Sequence, residues 1–135
     1  MNAAALGGVV FDTAAVVGWV NQVPYVQAVT WATVNAGNTI VVPSAVLAAS
    51  RAVIRADRLD VLAVLLALPH TIVTALDRPT AERLGATLAS QADIEALLPP
   101  GHAVIEAIAR DWPCLTGRAD RLRQLDPRVI IDPLP

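Results

Sequence analysis

Val9-Val10-Phe11-Asp12-Thr13 is the stretch on which the fold turns. Three consecutive β-branched or aromatic residues stop at an acid. A continuous apolar run this short, bounded by a polar residue, reads as a strand buried on both faces. Residues Thr13–Val20 then read as a helix, with Asp12 standing where an N-cap side chain can accept a backbone N–H. The pattern recurs along the chain. Further apolar strands are predicted at Thr39–Val42, Thr71–Val73, Pro113–Thr116 and Val129–Ile131.

Helical segments separate these strands. Pro24 opens one that runs to about Ala36, where Gly37 suits the stop. Pro43-Ser44 opens another, carrying Arg51, Arg55 and Arg58, and Asp60–Leu68 is followed by Pro69. Asp77 caps a helix reaching about Ser90. Pro99-Pro100-Gly101 is read as a break before a helix His102–Arg110, and Ala119–Leu125 forms the last. Apolar strands joined through helices require crossover connections, hence a parallel sheet covered on both sides. The expected architecture is α/β: a three-layer sandwich with a five-stranded, mainly parallel sheet, in a single domain over residues 1–135.

Composition narrows the function. With 135 residues, 55 % hydrophobic and 16 % charged, the chain has one domain's length and enough apolar material for its own core. Its single cysteine, Cys114, excludes internal disulfides and thiolate metal clusters and fits a reducing, cytoplasmic setting. The net charge of −2 lacks the basic excess that drives nonspecific nucleic-acid binding, and 4 % aromatics are too few for a base-stacking platform. No apolar run approaches the ~20 residues of a membrane span. The first ten residues lack the positive start of a secretory signal, so neither membrane nor export is expected.

In open parallel sheets, ligands bind beyond the carboxyl ends of the strands. Asp12-Thr13, Pro43-Ser44 and Thr116-Gly117-Arg118-Ala119-Asp120 occupy those positions. Phosphate-loop, dinucleotide, nucleophile-elbow and zincin motifs are missing from the sequence.

These segments, in their order, resemble the PIN domain, the nuclease fold of VapC-type toxins. Val9–Thr13 is similar to its opening strand with Asp-Ser/Thr, and Val41–Ala49 to its second strand and following helix. Ala107–Asp120 is similar to its helix, strand and Thr-x-Asp segment, and Val129–Pro135 to its last strand. The resemblance covers nearly the whole chain. It implies carboxylates at the strand ends holding one or two Mg²⁺ or Mn²⁺ ions that activate water against a phosphodiester.

The carboxylates of that pattern are mostly missing. Asp12 fills the first position. The second falls on Ala49, with Ser50 beside it, and the third near Leu98-Pro99, with Asp93 and Glu95 displaced by about a turn. The fourth is Arg118, a reversal of charge, with Asp120 two residues on. An arginine there can pair with Asp12 in the space of a cation. The leading expectation is a PIN-like protein with an eroded acidic site, needing no cofactor and acting by binding a protein partner (antitoxin-like or other) or RNA. The alternative is a Mg- or Mn-dependent endoribonuclease using Asp12, Asp93 and Asp120 as catalytic residues. Under either reading Thr13, Thr116 and Arg118 line the crevice, and Asp12 is the one candidate metal ligand of the leading reading.

Other groups are assigned structural roles. His102 and Glu106 share a helix face as a surface contact. Arg51, Arg55 and Arg58 form a solvated helical stripe. Trp19, Trp31 and Trp112 serve as core or interface anchors, and His70 lies in a loop. The Ala/Val/Leu-rich helices around Trp19–Ala36 and Ala45–Leu68 carry more apolar surface than a small core can hide, which predicts a homodimer.

Overall fold

The computed structural model describes residues 7–135, so Met1–Leu6, the start of the expected domain and of the N-terminal reading above, lie outside it. Five strands form one sheet: β1 (Gly8–Phe11), β2 (Thr39–Pro43), β3 (Thr71–Thr74), β4 (Cys114–Thr116) and β5 (Ile131–Pro133). Their order is β3-β2-β1-β4-β5, and every neighbouring pair is parallel, so "mainly parallel" becomes wholly parallel. Among the described residues seven α-helices connect them: α1 (Thr13–Val20), α2 (Pro24–Asn35), α3 (Ser44–Val53), α4 (Leu59–Ala67), α5 (Arg78–Leu88), α6 (Leu98–Arg110) and α7 (Ala119–Leu125).

Burial explains why the central strands are continuously apolar. Val9, Val10 and Phe11 are all buried, as are Ile40, Val41 and Val42. Successive strand residues point to opposite faces, so burial of three in a row requires cover on both. Gly8 permits a close approach at the start of β1. A Cβ there would sit 2.5 Å from the Thr39 carbonyl oxygen and 2.6 Å from the Trp112 ring.

Most boundaries shift by a residue or two from the sequence reading, and three differences have a clear physical reason. Helix α6 starts at Leu98 and takes Pro99 and Pro100 into its first turn, where a missing N–H costs no helical bond. Strand β5 is Ile131–Pro133 rather than 129–131, because Val129 belongs to the turn closed by its own N–H to Asp126 O. The arginine stripe does not form. Helix α3 ends at Val53, so Arg51 is helical while Arg55 precedes a short 3₁₀ turn ending at Arg58. Arg58 instead donates to the Val20 carbonyl. Among the described residues, no helix is long and apolar enough to cross a membrane.

Candidate functional site

The parallel pairing of β1 with β4 sets Phe11 against Leu115, so their next residues, Asp12 and Thr116, emerge side by side at the carboxyl end of the sheet. Both are fully buried. Thr116 Oγ1 donates to Asp12 Oδ2 at 2.7 Å and accepts from the Arg118 backbone N–H at 2.9 Å. One hydroxyl thus fixes the carboxylate and the chain carrying Arg118. The Arg118 side chain is 44 % exposed, and its guanidinium reaches to 3.7 Å from Asp12 Oδ1. That oxygen has no hydrogen-bond partner, and neither does the buried Thr13 hydroxyl.

Asp12 occupies the N-cap position of α1, but its side chain does not cap the helix, contrary to the sequence expectation. Its carbonyl oxygen takes the N–H groups of Ala15 and Val16. The carboxylate turns away because Thr116 offers a direct donor across the strand pair. Gly117 lets the loop after β4 run close to α1, where an added Cβ would stand 3.2 Å from Ala14 Cβ. Beneath the pair, burial and then the Asp12 charge push the Cys114 thiol well above its usual range, so it stays protonated and is no nucleophile.

No protein-family model matches the sequence, and no curated protein matches it. A solved structure does. The crystal structure of VapBC2 from Rickettsia felis bound to a DNA fragment from their promoter superposes with a TM-score of 0.67 at 18 % sequence identity. The match covers 93 % of this chain and 98 % of that one. The chain has a PIN-like fold.

On that fold the residues present do not suit a two-ion centre. Among the described residues no three His, Cys, Asp or Glu side chains converge as a metal-holding group. Asp93 is exposed, in a left-handed conformation (φ 54°), beside Glu95 in a shallow depression that does not include Asp12. The Asp120 side chain is 98 % exposed and pairs with Arg123 rather than entering the crevice. The acid trio of the nuclease alternative is therefore not brought together. At the second position the inward residue is Ser50, fully buried with an unpartnered hydroxyl, while Ala49 is half-buried. Thr116 and Arg118 contact the Asp12 carboxylate, while Thr13 follows it in the chain with its hydroxyl unpartnered.

His102 and Glu106 correct a second expectation. They share a face of α6, but that face is buried, not solvated. His102 Nδ1 accepts the Ala45 N–H at 3.3 Å, and Glu106 pairs with Arg110 at 2.9 Å. Burial lowers the His102 pKa below its usual value against the pull of Glu106 and Asp77. The polar identity of His102 hid this role, because helical spacing does not say which helix packs against which. Trp19 is a core residue whose indole donates to Val61 O, and Trp31 stacks edge-on against it while remaining 45 % exposed.

Proposed function

We propose that this PIN-like chain acts by binding, and that Arg118 stands in the crevice where catalysis would require a cation. The observation carrying the reading is the Arg118–Asp12 approach at 3.7 Å, with the second Asp12 oxygen held by Thr116. A guanidinium keeps its charge at any working pH, so the crevice loses negative potential with no ion bound. One carboxylate flanked by a hydroxyl and an arginine offers a divalent ion too few hard ligands.

The partner class is a protein of the antitoxin type. The similar solved structure is VapBC2 bound to a DNA fragment from their promoter, which supports a companion protein for this chain. Exposed apolar side chains on three helices, Trp31 on α2, Val53 on α3 and Val64 on α4, support protein contact and self-association into a homodimer. RNA is the second candidate partner. The setting is cytoplasmic on this reading, consistent with a lone buried thiol.

A second reading, a Mg²⁺- or Mn²⁺-dependent endoribonuclease, rests on the unpartnered Oδ1 of Asp12. Cleavage assays separate the two. Binding alone predicts no RNA hydrolysis above background with either ion, and no change in Asp12→Asn. Metal-dependent cleavage lost in Asp12→Asn overturns it.

A further inference from the structure

A second concavity lies between α5, α6 and the turn after α7, and Asp12, Thr116 and Arg118 do not line it. Its origin is in the packing of the two helices. Gly101 lets α6 close on α5, where an added Cβ would meet Leu84 Cδ1 at 2.5 Å. Next to that contact the side chains are short, Ala86 on α5 and Ala109 on α6, and an open cavity of about 380 Å³ remains. Its apolar floor is Val104, Ile105 and Ile108, of which the first two are buried and the third half-buried.

Three charged side chains reach the cavity: Arg83, Asp126 and Arg128. Asp126 and Arg128 cancel each other. The Asp126 carboxylate takes Arg128 Nε at 3.0 Å, Nη2 at 2.7 Å and the Arg128 backbone N–H at 3.0 Å. Arg83 has no such partner among the described residues. Its one hydrogen bond goes to the Thr80 hydroxyl at a long 3.4 Å. Asp77, whose carboxylate feels the Arg83 charge, is engaged in capping α5 through the Thr80 N–H. The cavity therefore offers an apolar floor and one uncompensated positive charge.

We infer that this cavity binds a small monoanionic amphiphile, a carboxylate on a short aliphatic chain. Val104, Ile105 and Ile108 take the chain, whose removal from water drives binding. The Arg83 guanidinium matches a carboxylate with two parallel hydrogen bonds. A single free arginine suits a single negative charge. A phosphate monoester, close to −2 at pH 7, brings more charge than this rim neutralises. The volume stands at the low end of ligand pockets, which selects a small molecule. This site goes beyond the binding role proposed for the Asp12 crevice and does not depend on it.

Titration of the ¹⁵N-labelled full chain with octanoate, followed by amide chemical shifts, tests the assignment. Saturable shifts are expected at Thr87, Ile108 and Ala109, with a Kd on the order of 1 mM for a ligand of about ten non-hydrogen atoms. Arg83→Gln should weaken binding about tenfold, the loss of a charge-assisted contact. Octan-1-ol should bind the wild type as weakly as octanoate binds that variant. Ala109→Phe fills the cavity and should abolish the shifts while leaving Arg83 in place. Both substitutions fall at exposed positions, and unchanged thermal melts confirm that the fold is kept. Octanoate that shifts none of these amides at 10 mM, or that binds the Ala109→Phe protein equally well, overturns the site. Equal affinity of octan-1-ol and octanoate, or of wild type and Arg83→Gln, overturns the choice of an anion.

Discussion

The Arg118 guanidinium stands 3.7 Å from Asp12 Oδ1, while the Arg118 backbone N–H and Asp12 Oδ2 share the Thr116 hydroxyl. The cation is thus held to the carboxylate by side chain and main chain together. Arg118 remains 44 % exposed, so water screens part of the attraction. Exposed pairs contribute about 0–1 kcal/mol and breaking buried ones costs about 3–5. Arg118→Ala should cost about 1–2 kcal/mol by urea unfolding, between those limits. Asp12→Asn with Arg118→Ala should cost less than the sum of the singles, and additive effects would show that the two side chains do not interact.

Thr116→Val keeps the shape and removes both hydrogen bonds of the relay. Asp12 Oδ2 is left buried without a donor and the Arg118 N–H without its acceptor. The loss should be about 2–3 kcal/mol, the range for a hydrogen bond to a carboxylate plus a stranded polar group. A Thr116→Val protein as stable as wild type would mean that water or rearrangement replaces the relay at no cost.

Helix α6 should give the fold a pH dependence of known sign. His102 is buried with Nδ1 accepting from Ala45 N–H, a bond that protonation of Nδ1 abolishes. Its folded pKa lies below 6.5 because burial outweighs the attraction of Glu106 and Asp77. The native state then holds fewer protons than the unfolded state in that interval, so stability rises with pH. It is lost as pH falls from about 6.5 toward the folded pKa and is flat in this group above 6.5. His102→Gln should remove this component, seen by subtracting its stability–pH curve from that of wild type. A dependence surviving the substitution assigns it to other groups.

Gly8→Ala tests the packing that sets β1 in place. The added methyl meets the Thr39 carbonyl oxygen at 2.5 Å, a backbone atom held by the β1–β2 pairing. Overpacking of this kind costs about 1–3 kcal/mol. A neutral thermal melt would mean that β1 and Trp112 separate freely.

The sheet was legible because central parallel strands must be apolar on both faces, and Val9–Phe11 and Ile40–Val42 are. The strand-end rule then located Asp12, Thr116 and Arg118 together. Legibility failed where tertiary partners decide. Asp12 fits an N-cap by local chemistry, yet Thr116, far along the chain, offers the better donor. Pro99-Pro100 reads as a break, although two prolines fit a first helical turn equally well. His102–Glu106 spacing gave the shared face but not that α3 covers His102. The inward turn of Ser50 rather than Ala49 depends on helix rotation, which a run of small residues does not specify.

Calorimetric titration with Mn²⁺ at millimolar concentration tests the central claim most directly, comparing wild type with Asp12→Asn. An arginine-filled crevice predicts no saturable heat that depends on Asp12, so the two titrations should coincide. Saturable binding in the wild type that disappears in Asp12→Asn would contradict it, and would make Asp12 a metal ligand despite Arg118.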